Sequence, residues 1–177
     1  MKLVYNFNYY LFITKFIAVI RLATNDDFDF IYELYMHPQN NPYLLYEEML
    51  ASSFRPIFDE LQSKNHLYIY EVDGIQTGMC KLIPLQHRTS HIVYLGGFAI
   101  HPFFAGKGEG LKMMQEILGY TKQKGFLRVE LSVAVTNEKA IRLYQKAGFV
   151  KEGILKKYSY MKSEDRFVDE MIMACLL

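Results

Sequence analysis

The spacing of apolar and polar residues along the chain predicts an α/β protein with a mixed sheet. Runs of apolar and β-branched residues, typical of strands, alternate with segments whose apolar residues recur every three or four positions, as on one face of a helix. The predicted strands cover residues 16–22, 66–72, 76–84, 92–100, 126–135, 149–160 and 166–176, and the predicted helices cover residues 25–35, 43–64, 106–124 and 137–147. This order gives about seven strands flanked by about four helices rather than a regular βαβ repeat.

Three local signals support the boundaries of these elements. Asp73-Gly74 is a strong signal for a two-residue hairpin turn between the second and third strands. Gly125 and Gly148 follow two of the helices, where a glycine readily adopts the left-handed conformation that ends a helix. Residues 92–100 are apolar on both faces, so we expect this strand to be central and covered on both sides.

The N-terminal residues are rich in aromatic and aliphatic side chains, which raises the question of a signal or membrane segment. Asn6 and Lys15 interrupt the apolar run, and no small-residue cleavage site follows it. Lys15 and Arg21 also break the stretch of about 20 apolar residues that a membrane span needs. We therefore predict a single domain over 16–177, preceded at 1–15 by an extension that is an extra strand, an exposed arm or the product of an early start codon.

The composition narrows the function classes without selecting one. The formal net charge of +1 argues against a nucleic-acid binder, which normally carries a basic excess. The two cysteines, Cys80 and Cys175, stand in unrelated contexts, and the five histidines show no metal-binding spacing. We therefore expect no disulfide, no metal site and no nucleic-acid or membrane partner, and a cytoplasmic location fits the chain.

The densest chemical signal is a glycine-rich turn at 101–110, between a buried strand and a helix. Its glycines at positions 106, 108 and 110 permit a tight turn and let the backbone approach a ligand closely. The free N–H groups at the start of the helix then favour an anion such as a pyrophosphate. The spacing differs from that of a P-loop, and Leu111 stands where a dinucleotide-binding turn needs its third glycine. A plain connecting turn is the simpler alternative.

A second signature lies in the predicted helix that begins at Asn137. Asn137 and Tyr144 are two helical turns apart, so they share one face, with Ile141 between them. A polar residue at the start of this helix and a phenol near its end can therefore line one groove.

Together the two signatures resemble the GNAT superfamily of N-acetyltransferases. The run 98–110 is similar to the acetyl-CoA-binding motif of that family, and the run 131–149 is similar to its second motif. The resemblance covers residues 20–177 and implies a mostly antiparallel, twisted sheet with a splayed central strand pair. Two departures are Ala105, where the family usually has Gln or Arg, and Glu109, where it has an apolar residue.

The resemblance implies a site for acetyl-CoA as a co-substrate. Backbone groups of Phe98, Ala99 and Ile100 would pair with the pantetheine arm, and one N–H there would stabilise the oxyanion. Asn137 would hydrogen-bond the pantetheine. The pyrophosphate would lie on consecutive amides, those of Ala105, Gly106, Lys107, Gly108, Glu109 and Gly110. Three basic residues of the second-motif helix either meet the coenzyme's 3′-phosphate or form a solvated face: Lys139, Arg142 and Lys146.

The implied reaction is direct attack of a neutral amine on the thioester in a ternary complex. Tyr144 is our candidate acid for the leaving thiolate, whose ordinary pKa is about 8.5. A tyrosine that only packs in the core is the plainer alternative. The sequence identifies no general base, since Glu130 and His91 have structural explanations and a water chain to solvent would suffice.

The family shapes its acceptor pocket with the segment after the first helix and with the final hairpin, here 40–48 and 158–167. Tyr43, Tyr46 and Glu47 are our candidate acceptor-binding residues, because an acid beside aromatic rings suits a cationic amine. A polyamine or a protein or peptide amine is favoured as the acceptor, and a homodimer is left open. The alternatives are a non-catalytic acyl-CoA-binding regulatory module and a nucleotide-binding oxidoreductase.

Overall fold

A computed structural model of the protein describes residues 17–177, and the extension predicted for residues 1–15 lies outside them. Within the described residues, seven strands form one sheet and four α-helices pack against it. The strands are β1 (Ala18–Leu22), β2 (Leu67–Val72), β3 (Ile75–Pro84), β4 (Ile92–Ile100), β5 (Arg128–Ala134), β6 (Val150–Met161) and β7 (Arg166–Leu176). The helices are α1 (Phe28–Met36), α2 (Ala51–Ser63), α3 (Glu109–Gln123) and α4 (Glu138–Lys146). No helix in this part of the chain is long and apolar enough to span a membrane.

The sheet is antiparallel except at its centre, where a parallel pair opens into a fork. Its strand order is β1-β2-β3-β4-β5-β7-β6, and only β4 and β5 run parallel. These two strands pair over Ile92–Tyr94 and Arg128–Glu130 and then diverge. An extra residue in β4 at Gly97, where φ is +56°, shifts its register against β3. The splayed central pair is therefore present as predicted, and a bulge at Gly96-Gly97 accompanies it.

Helices cover the two faces of the sheet and produce two hydrophobic cores. On one face, α3 and α4 pack with strand residues such as Val93, Leu131 and Met173. On the other face, α1 and α2 bury Phe54 and other aromatic side chains against β2 and β3. β4 contributes to both cores, through Val93 to the first and through Ala99 to the second, as expected of a doubly covered strand.

The segment between α1 and α2 differs from its prediction. The helix predicted over 43–64 begins only at Ala51. The preceding residues form an irregular loop that is tied to α1, because the Asn41 side chain donates hydrogen bonds to the carbonyl oxygens of Tyr35 and Tyr46. This loop lies beside the fork of the sheet and becomes part of the candidate site.

β1 is an edge strand rather than the predicted core strand, with only Ile20 buried. It is anchored by the carboxylate of Asp27, which is 1% exposed just before α1. Its two oxygens accept hydrogen bonds from Arg21 of β1 at 2.7 and 2.8 Å, and further bonds come from Thr24 and Gln76. Burial by itself raises the pKa of Asp27, but the hydrogen bonds from Arg21 and Thr24 outweigh it and lower the pKa to about 2.

Candidate active site

Consecutive backbone amides at the start of α3 form an anion cradle. The N–H groups of residues 106–110 make no well-formed hydrogen bond within the described residues. Gly106 and Gly108 have φ of +77° and +84°, which only glycine adopts without strain, and no side chain caps the helix. A Cβ on either glycine would meet no atom within 4 Å, so the turn is open. Because the helix dipole is positive at this end, the cradle suits a phosphate or pyrophosphate.

A groove of about 500 Å³ runs from this cradle along β4 to α4. Its walls are the glycine-rich turn, the splayed end of β4, one face of α4 and the loop after α1. The predicted site residues that line it are Phe98, Ala99, Ile100, Ala105, Gly106, Gly108, Gly110, Asn137 and Tyr43. The three basic residues of α4 also line it, and of these Arg142 pairs with Glu138 at 2.9 Å. The groove thus has an apolar floor and basic residues along one wall. It suits a ligand that carries several phosphate groups and a long uncharged arm.

Two residues of the cradle turn their side chains away from the groove. The Nζ of Lys107 lies 4.3 Å from the centre of the Phe103 ring. Glu109 accepts hydrogen bonds from the Tyr70 hydroxyl at 3.2 Å and from the Nζ of Lys112 at 2.7 Å. The acid that departs from the family pattern therefore points away from the anion cradle, and only the backbone amides of Lys107 and Glu109 are available to a ligand.

Asn137 has a structural role in addition to the predicted one. Its Oδ1 accepts a hydrogen bond from the N–H of Ala140 at 3.1 Å, so it caps the start of α4. With the carbonyl side of the amide engaged, the Nδ2 group remains as a donor toward the groove. The residue can thus hold the helix and a ligand carbonyl at the same time.

The two functions of Asn137 can be separated by substitution. Asn137→Asp keeps a capping oxygen but removes the Nδ2 donor, so we expect unchanged thermal stability and weaker acetyl-CoA binding. Asn137→Ala removes both, and we expect it also to lose about 1 kcal/mol of unfolding free energy. Thermal melts and calorimetric titration with acetyl-CoA measure the two effects, and equal affinity in all three proteins would remove Asn137 from the binding site.

Tyr144 belongs to α4 and faces the end of β4, but it is not among the residues that line the groove. It is 7% exposed, and its ring packs edge-on against Phe98 with centres 6.0 Å apart. Its hydroxyl has no hydrogen-bond partner among residues 17–177. Burial, together with the nearby Tyr94, raises the pKa of Tyr144. The phenol therefore keeps its proton at neutral pH, as a group that donates a proton must.

The opposite side of the fork carries a polar cluster that the sequence analysis did not find. The hydroxyls of Tyr94 on β4 and Ser132 on β5 are 2.9 Å apart and bridge the diverging strands. Nearby on β7, Glu170 accepts a hydrogen bond from Ser159. Burial raises the pKa of Tyr94, with Glu170 adding to the effect. The only sequence signal was the alternation of polar residues along β5.

The predicted acceptor residues have different environments. Tyr43 is half exposed at the wall of the groove. Tyr46 packs against Tyr35, with ring centres 5.3 Å apart. Glu47 accepts hydrogen bonds from the backbone N–H groups of Lys162 and Ser163, in the turn between β6 and β7. The carboxylate that was expected to face a cationic amine therefore joins the loop after α1 to the final hairpin.

The two residues considered as bases lie away from the groove. Glu130 accepts a hydrogen bond from Arg128 at 3.2 Å, and Arg128 also pairs with Glu152. His91 is exposed in the connection between β3 and β4. Both therefore have the structural explanations that the sequence favoured.

Sequence comparison assigns this fold and groove to a class of enzymes. Residues 28–149 match the model of the acetyltransferase (GNAT) family, so the chain belongs to that family. The protein is therefore an acetyl-CoA-dependent N-acetyltransferase by class. Both the prediction that the chain is an enzyme and the predicted fold are confirmed.

Individual relatives support the assignment. An N-alpha-acetyltransferase of Sulfolobus acidocaldarius is 32% identical over 154 residues, which are 84% of this chain and 89% of the relative. The crystal structure of spermidine N-acetyltransferase from Vibrio cholerae, in complex with CoA and spermine, has a TM-score of 0.76 at 23% identity. A ribosomal-protein-alanine N-acetyltransferase from Brucella melitensis has a TM-score of 0.74 at 19% identity. These structures cover 90% of this chain, and the chain covers 95% and 99% of theirs.

Proposed function

We propose that the protein transfers the acetyl group of acetyl-CoA to a primary amine by direct attack within a ternary complex. The observation that carries the proposal is the continuity of the anion cradle with the fork of the sheet. Beyond Tyr94, β4 pairs with β3 alone, so its backbone groups on the β5 side are free to bind an extended ligand. A pyrophosphate on the cradle would direct the pantetheine arm along this free edge toward the bulge at Gly97.

In this arrangement separate groups of the chain bind the coenzyme, stabilise the oxyanion and protonate the leaving thiolate. The amides of 106–110 hold the pyrophosphate, and Asn137 and the backbone of 98–100 hold the pantetheine. One free N–H of β4 stabilises the oxyanion that forms when the amine attacks. Tyr144 then gives its proton to the departing thiolate.

We propose a protein or peptide N-terminal amine as the preferred acceptor. Glu47 already binds the hairpin backbone, so it offers no free acid to a polyamine. The relative from Sulfolobus acidocaldarius is named as an N-alpha-acetyltransferase, and its match spans most of both chains. An α-amine has a pKa near 7.7 to 8.0, against about 10.4 for a lysine-like amine, so a useful fraction is neutral at physiological pH.

A thiol-release assay tests both parts of this proposal. We expect acetyl-CoA to release CoA in the presence of short peptides with a free N-terminus, more slowly with spermidine, and not with N-terminally blocked peptides. Faster release with spermidine than with any peptide would contradict the acceptor assignment. Acetyl-CoA binding without release for any amine would instead support the non-catalytic regulatory module.

A further inference from the structure

One lysine is buried at the fork without an ionic partner. Lys81 on β3 is 5% exposed, although lysine is almost never buried unless it is paired. It forms no salt bridge or side-chain hydrogen bond within residues 17–177, and its Nζ lies 5.1 Å from the centre of the Tyr46 ring. An unpaired buried charge is costly, so such a residue is a candidate for a function.

The side chain of Lys81 lies across the bulge of β4. Lys81 pairs with Gly96 in the sheet, and its Cγ and Cε would each lie 3.3 Å from a Cβ built on Gly97. The same position is 2.5 Å from the hydroxyl of Tyr35, which is fully buried and has no hydrogen-bond partner in the described part of the chain. The absence of side chains at 96 and 97 therefore makes room for an amine and a phenol beside the free edge of β4.

Three tyrosines and one histidine lie around Lys81 in the described part of the chain, and none of them is an acid. Tyr35 comes from α1, Tyr46 from the loop after α1, Tyr94 from β4 and His66 from the start of β2. Burial raises the pKa of all three tyrosines, so they stay neutral phenols. Burial lowers the pKa of the Lys81 ammonium, and no carboxylate offsets this effect. Two acids act on these tyrosines rather than on Lys81. Glu60 acts on Tyr46 and is paired with Lys64, and Glu170 acts on Tyr94 and accepts a hydrogen bond from Ser159.

We propose that Lys81 is the general base that accepts a proton from the acceptor amine. This inference rests on the proposed acetyl transfer and supplies the base that neither Glu130 nor His91 provides. Tyr144 belongs to the core that α3 and α4 form on one face of the sheet, and Lys81 lies on the other side of β4. Lys81 is beside the bulge where the proposed thioester site begins. A neutral amine in a dry site is a known form of lysine base.

The proton balance of the step is complete with the groups named. The acceptor ammonium gives one proton to the Nζ of Lys81, and its freed lone pair forms the new C–N bond at the thioester carbonyl. Collapse of the oxyanion breaks the C–S bond, and the thiolate takes the proton of Tyr144. The new amide is then still protonated on nitrogen, and it gives this extra proton to the Tyr144 phenolate, which becomes a phenol again. Lys81 returns its proton to solvent. One proton is released for each amide formed.

A pair of substitutions separates a base from a fixed charge. Lys81→Met removes the amine, and Lys81→Arg keeps a cation that cannot lose its proton in this pH range. We expect both variants to lower kcat/KM for a peptide acceptor about a hundredfold at pH 7. We expect the loss to shrink to about tenfold at pH 9.5, where the α-amine is already neutral in solution. Lys122→Met, at an exposed position on α3, is the matched control and should behave as wild type.

The outcomes distinguish a failure of the Lys81 base assignment from a failure of the proposed acetyl transfer. Rescue of activity by Lys81→Arg, or wild-type activity in Lys81→Met, would overturn the base assignment while leaving the acetyl transfer intact. Absence of activity in wild type with every amine would instead contradict the proposed function. Because Lys81→Met replaces a buried amine that has no hydrogen-bond partner among residues 17–177 with an apolar side chain, we expect it to fold and to melt at or above the wild-type temperature.

A second measurement reads the protonation of Lys81 without turnover. In an NMR titration of the protein with isotope-labelled lysine side chains, assigned by comparison with Lys81→Met, we expect Lys81 to lose its proton well below the ordinary lysine value of about 10.4. A Lys81 resonance that titrates at the ordinary value would contradict the inference whatever the activity of the protein.

Discussion

Replacement of Tyr144 by phenylalanine should lower turnover about a hundredfold while leaving acetyl-CoA affinity within about twofold of wild type. The substitution removes only a hydroxyl that has no protein partner among the described residues, so the packing against Phe98 is retained. The thiolate must then leave without a proton donor. Pre-steady-state acetyl transfer and calorimetric titration separate the two parameters, and Tyr120→Phe, on α3 and in contact with Tyr68 rather than with β4, is the matched control.

The pH dependence of the wild-type enzyme tests the same assignment. Because burial raises the pKa of Tyr144, the phenol stays protonated through neutral and alkaline pH. Turnover should therefore show no decline from this group up to about pH 10. Full activity of Tyr144→Phe at every pH would remove Tyr144 as the acid and leave it as a core residue.

Replacement of Asp27 by asparagine should lower the free energy of unfolding by about 2 to 4 kcal/mol at pH 7. The carboxylate is buried and holds Arg21 through two short hydrogen bonds, which an amide cannot match in charge or geometry. For a chain of this size the change corresponds to a fall of about 6 to 12 °C in Tm. Asp26→Asn changes the exposed neighbouring acid and should leave the Tm nearly unchanged.

The sign of the acid response follows from the lowered pKa of Asp27. Its folded-state pKa is about 2 and lies below the ordinary unfolded value of about 3.9. The stabilisation is therefore complete above about pH 5 and is lost as the pH falls toward 2. Denaturant unfolding of wild type and Asp27→Asn should give stabilities that converge as the pH falls through this range, whereas a constant difference would show that the Asp27 charge is unimportant.

The elements that could be predicted from the sequence are those set by local chemistry. Asp73 and Gly74 both have positive φ and form the predicted hairpin turn, since few other dipeptides tolerate that conformation. The glycine-rich turn could be found for a similar reason, because an anion cradle of backbone amides depends on where glycines stand rather than on distant side chains. Helical spacing alone showed that Asn137 and Tyr144 share one face of a helix, whereas their roles at the site came from the resemblance to the family.

The features that could not be predicted depend on contacts between distant segments. Glu47 reaches a turn more than 100 residues away, so nothing in its local sequence shows that its carboxylate is occupied. The start of α2 was misplaced because loop hydrogen bonds from Asn41 override the helical pattern after residue 43. Lys81 had one available signal, a single lysine within an apolar strand, but its lack of a counter-ion is set by side chains from four separate segments of the chain.

Calorimetric titration of the purified protein with acetyl-CoA, and separately with NAD, shows which ligand the cradle and groove bind. We expect saturable binding of acetyl-CoA with one site per chain and no binding of NAD. Binding of NAD in place of acetyl-CoA, or no binding of acetyl-CoA, would contradict the assignment of the cradle and groove to the acetyl donor.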